Sequence, residues 1–64
     1  MKWIDVTEIA IQLAETYPDV DPARVNFVDL MNWVRQLPGF DDDPTRCGER
    51  VLEAIQQAWM AEFG

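Results

Sequence analysis

Apolar residues recur along this chain at intervals of three and four, and the stretches carrying that rhythm predict three helices. Val6, Ile9, Ala10, Leu13, Ala14 and Tyr17 fall on one side of a helix over residues 6–17, opposite Thr7, Glu8, Gln12 and Glu15, with Ile11 as the exception. Asp5 stands at its N-cap position with Glu8 three residues on, the spacing of a reciprocal capping pair. Pro18 stops the helix, because it has no amide hydrogen to donate and disfavours helical geometry at Tyr17 before it. Phe27, Leu30, Met31, Val34 and Leu37 repeat the rhythm for a second helix, carried through residue 37 and ended by Pro38 and Gly39. Trp33 flanks that stripe, and Phe40 is expected to fold back as an apolar anchor for the loop that follows. A third helix, over residues 47–62, turns Val51, Leu52, Ile55, Ala58 and Trp59 inward together with Phe63, and Glu49, Arg50, Glu53, Gln56 and Gln57 outward. No period-two alternation and no repeat stands out, so the predicted fold class is mainly α, a compact three-helix arrangement in a single domain over residues 1–64.

The two connections, "YPDVDPARVNF" and "GFDDDPTRCG", set aspartates beside prolines. Asp21 followed by Pro22 reads as the cap and first residue of a short helical turn. For Asp41, Asp42 and Asp43 three readings stand side by side: a solvated loop with caps, a contact with a partner, and weak ligation of a hard cation such as Fe²⁺. Consecutive side chains diverge, and "DDDPTRCGERVLE" lacks the alternating ligands of a calcium-binding hand. Asp19 and Asp21, two residues apart, aim the same way if the backbone is extended. With Asp5, Glu8 and Glu15 they form an acidic ridge if the fold gathers them.

Composition narrows the function. A chain of 64 residues buries about 60% of its unfolded surface, which leaves little room for a deep catalytic pocket. The net charge of −7 repels phosphate backbones and steers basic partners toward the surface. With no histidine and one cysteine, Cys47, the chain lacks Ser/His and Cys/His pairs and a tetrahedral zinc set. The lone cysteine fits a reducing compartment, and no signal peptide or membrane span is recognisable, so a small cytoplasmic monomer is expected. Hydrophobic residues make up 48% of the chain, enough to fold it, and Trp3 and Trp59 read as core. Trp33 stands open between core and contact surface, while Cys47 reads as a passive residue near a helix start.

The ordered set "KW", Asp5, "EIA", Leu13, "YPDVDP", Phe27, "DL", "WV", "FDDDP", "LEAI" and Ala58 with Trp59 resembles the IscX family, small acidic accessory proteins of bacterial iron–sulfur cluster assembly. The resemblance runs from Lys2 to Glu62, and the pairing of "YPDVDP" with "FDDDP" is its most specific part. It implies a winged-helix-like helical fold, a non-catalytic role, and docking to the cysteine desulfurase of that pathway on a basic surface that bacterial frataxin also uses. It further implies weak Fe²⁺ binding through surface carboxylates. Carried over, the metal candidates are Asp5, Glu8, Asp19 and Asp21, and the partner candidates are Asp19, Asp21, Asp41, Asp42, Asp43 and Trp33. Cys47 and Gly48 depart from the Ser and Asn expected at the start of the last helix, and the ending "EFG" lacks the usual acidic residues. A winged-helix nucleic-acid binder is the alternative function, opposed by Asp29 and a single Arg35 on the second helix.

Overall fold

The computed structural model describes residues 1–63. Three helices form where the apolar rhythm places them: α1 at Val6–Thr16, α2 at Phe27–Arg35 and α3 at Glu49–Phe63. Among the described residues no strand is present, and the chain is mainly α, as expected. α1 packs chiefly on α3, and α2 closes the third side. One core joins all three, built from Ile9, Ala10 and Leu13 of α1, Leu30 and Val34 of α2, and Leu52, Ile55 and Trp59 of α3, with Trp3 and Leu37 from the flanking segments. Trp3 and Trp59 are thus core residues. The Trp59 indole N–H finds no acceptor among the described residues, and its ring meets Trp33 edge-on at 6.2 Å.

Helix ends depart from expectation in instructive ways. Asp5 does not cap α1 with its side chain. Its Oδ2 instead accepts the Lys2 backbone N–H at 2.8 Å, and Glu8 accepts from the Gln12 side-chain amide at 3.3 Å, so the reciprocal pair is not made. α2 ends at Arg35 rather than at residue 37: the Leu37 N–H donates to the Val34 carbonyl, a tightened turn that still buries Leu37. Gly39 then takes a φ of +82°, a conformation glycine adopts without steric cost. α3 starts two residues later than expected, with the Leu52 N–H donating to the Gly48 carbonyl at 3.1 Å, which makes Gly48 its N-cap.

The two acidic connections are the same device used twice, a repeat that escaped the reading of the sequence. Asp21-Pro22-Ala23-Arg24 and Asp43-Pro44-Thr45-Arg46 each form a single 3₁₀ turn. In each, the aspartate caps the turn by accepting the N–H two residues on, at 3.0 Å from Ala23 and 2.9 Å from Thr45. Each turn leads through one half-buried apolar residue, Val25 or Cys47, to the N-cap of the next helix, Asn26 or Gly48. Proline supplies the fixed φ, the aspartate satisfies an amide the turn leaves open, and the extended residue that follows re-aims the chain. Gln56 of α3 ties down the first turn by donating to the Pro22 carbonyl at 2.9 Å.

Candidate docking surface

The segment before α1 runs beside the loop at 39–43 and binds it closely. The Met1 nitrogen donates to the Gly39 carbonyl at 2.9 Å, and the Asp41 N–H returns a bond to the Met1 carbonyl at 2.9 Å. Trp3 is clamped by both its amide and its ring. Its backbone N–H donates to Asp42 Oδ2 at 3.0 Å, its indole Nε1–H to the Asp43 carbonyl at 2.9 Å, and its ring meets Phe40 edge-on at 4.7 Å. Phe40 is therefore the loop anchor that its position suggested.

This clamp divides the aspartate triplet. Asp42 accepts two amide hydrogens, from Trp3 and, at 2.7 Å, from Asp43. Those bonds hold its carboxyl below the ordinary carboxylate pKa, chiefly through the Trp3 amide. Asp43 accepts from the Thr45 N–H and, at 2.8 Å, the Thr45 hydroxyl, which lower its pKa in the same way. Asp41 alone points outward, its side chain 93% exposed, with Lys2 Nζ at 3.7 Å from Oδ2 and donating to its carbonyl. Structural duty thus takes two of the three carboxylates, and one faces solvent.

The other acidic candidates lie apart. Asp5 and Glu8 share one shallow cleft at the start of α1. Asp19 and Asp21 follow its far end, both exposed, with Asp21 also 3.8 Å from Arg24 Nε. A helix of 11 residues is about 16 Å long, so the two pairs cannot share one ion. Among the described residues no group of three or more candidate ligands converges, and the carboxylates at hand do not make a closed iron site. The acidic ridge of Asp5, Glu8, Glu15, Asp19 and Asp21 resolves into two ends: Asp5 and Glu8, with the 41–43 loop beside them, at one, and Glu15, Asp19 and Asp21 at the other. Trp33 belongs with the second, because its half-buried ring stacks on Tyr17 at 4.7 Å, next to that corner.

Cys47 does not gain from the start of α3. It is half-buried, and desolvation pushes its thiol pKa up, the reverse of an activated cysteine. No helix among the described residues is long and apolar enough to cross a membrane. α2 carries Asp29 in its first turn, so a nucleic-acid reading gains nothing from the fold.

Against known proteins, residues 1–64 match the family model described as iron–sulphur cluster assembly. An uncharacterized protein of Pseudomonas aeruginosa is 66% identical over 62 residues, an alignment that spans 97% of this chain and 94% of that one.

Proposed function

This chain belongs to the IscX family of iron–sulfur cluster assembly, and from that premise we propose that it is a non-catalytic accessory protein that docks on the pathway's cysteine desulfurase. The observation that carries this reading is the net charge of −7 with exposed carboxylates at both ends of α1, Asp5 and Glu8 with Asp41 at one, Asp19 and Asp21 at the other. Charge of one sign on a small rigid body raises the association rate with a basic surface by roughly 10 to 10³, an effect that fades with salt. The separation of about 16 Å between the ends fits within one interface of about 800 Å² per partner. A basic surface that also receives bacterial frataxin makes the two proteins competitors, and occupancy then regulates sulfur supply.

Iron enters as cargo or signal. Asp5, Glu8, Asp19 and Asp21 offer separate oxygens without a cage, and a hard cation held that way exchanges readily. Weak, exchangeable contact suits a sensor or adaptor better than a store. The test is titration of the full chain against its cognate desulfurase at low and moderate salt, each with and without Fe²⁺ and with frataxin as competitor. Micromolar or tighter binding that weakens with salt and is displaced by frataxin is the expected result. No binding at either salt discards the desulfurase as partner.

A further inference from the structure

Ile4 is the most exposed large apolar side chain among the described residues, at 84%. Its backbone is nevertheless held firmly. Residues 2–5 form a turn closed by the Asp5 N–H donating to the Lys2 carbonyl at 3.0 Å, and the Lys2 N–H bonds Asp5 Oδ2 across it. Trp3 beside it is locked to the 42–43 loop, and the Asp5 carbonyl already accepts from Ile9 of α1. Turn centres usually hold Gly, Asn, Asp, Ser or Pro, residues that suit the geometry or bond it locally. Here a stiff β-branched side chain occupies the apex, facing water.

The surroundings of Ile4 give it a chemical context. It stands between two clefts, one lined by Asp5 and Glu8, the other by Lys2, Asp42, Arg46 and Val51. The ion pairs among the described residues join Lys2 to Asp41 and Arg24 to Asp21, so Asp5 and Glu8 have no cationic side chain paired to them, whereas Arg46 lies in the same cleft as the Asp42 carboxylate and helps to hold its pKa down. Val28, also exposed, borders neither cleft.

We propose that Ile4 is an apolar peg at the centre of a docking face, and that its occupant is a protein surface with an apolar notch bordered by basic side chains that meet Asp5 and Glu8. The inference rests on the reading that this chain docks on the desulfurase, and it adds which face does so and in what orientation. A basic border is attracted on the Asp5–Glu8 side and less so on the other, where Lys2 and Arg46 flank Asp42, so the complex has one favoured direction. Because the turn is ordered before contact, association loses little further freedom at the peg.

The experiment compares wild type, Ile4→Ser, Ile4→Val and Glu8→Gln in titrations against the purified desulfurase at two salt concentrations, with a thermal melt of each variant. Ile4→Ser is expected to melt like wild type, to bind about tenfold or more weakly, and to keep the wild-type salt dependence, because apolar burial is lost and no charge is. Ile4→Val is expected to retain most of the affinity, and Glu8→Gln to flatten the salt dependence. Wild-type affinity in Ile4→Ser overturns the peg while leaving the desulfurase reading intact. Failure of wild type itself to bind overturns that reading, and the peg's occupant with it.

Discussion

Three consecutive aspartates in one loop do three different things, and the difference lies in what each carboxylate accepts. Asp42 holds the Trp3 amide, Asp43 caps a 3₁₀ turn, and Asp41 faces water beside Lys2. Asp42→Ala is therefore expected to lower the melting temperature and shift tryptophan emission to the red as Trp3 loosens, whereas Asp41→Ala leaves both near wild type; parallel melts and emission spectra check this. The pH dependence follows from the same bonds. Asp42 and Asp43 have folded pKa values below the ordinary 3.8, so each binds its proton more readily when unfolded. Their stabilisation is complete above 3.8 and is lost as the pH falls through the lowered folded values. Acid titration by tryptophan emission is expected to show wild type losing stability in that window, and an Asp42→Asn variant losing less. The cap at Asp21 was legible, because aspartate followed by proline is a local signal. The role of Asp42 was not, because its partner Trp3 lies 39 residues away.

At the scale of elements, the repeated ramp explains residues that looked anomalous one at a time. Cys47 occupies the place of Val25, an apolar contact between a 3₁₀ turn and the helix behind it, which accounts for a half-buried thiol whose pKa desolvation raises. Gly48 occupies the place of Asn26, whose side chain accepts the Asp29 N–H at 2.8 Å and donates back to the Asp29 carboxylate at 3.2 Å. The glycine leaves α3 without that bond. A Cβ at Gly48 meets nothing within 4 Å, and its φ lies outside the left-handed region. Gly48→Asn is expected to stabilise the fold by about 0.5–1 kcal/mol, from a cap and a less flexible unfolded chain. A thermal melt should record a rise of a few degrees. The cap predicted at Asp5 failed for a related reason: a neighbouring amide, that of Lys2, reached its carboxylate first. Capping patterns show which groups can bond, and the direction of the incoming chain decides which do.

Over the whole molecule, charge and shape divide the labour. Helical packing places Asp5 and Glu8 at one end of α1 and Asp19 and Asp21 at the other, with the Tyr17–Trp33 stack beside the second pair. If both ends meet one basic surface, Asp19→Asn with Asp21→Asn and Asp41→Asn each reduce the low-salt association rate, and their effects on its logarithm add, because exposed charges act mainly at long range. Stopped-flow association at several salt concentrations checks this, and an effect confined to one set assigns the contact to that end. The sequence by itself determined three helices, most of their inner faces, the acidic balance and the family, since periodicity, composition and motif spacing are local or global properties of the chain that packing does not alter; Phe63, expected inside, is 46% exposed, and Gln56, expected outside, turns in to the Pro22 carbonyl. Only the tertiary structure decided which carboxylates remain available and that Ile4 is exposed. Those outcomes depend on the segment at 1–5 meeting the loop at 39–43, a contact across nearly forty residues whose partners no short-range pattern specifies.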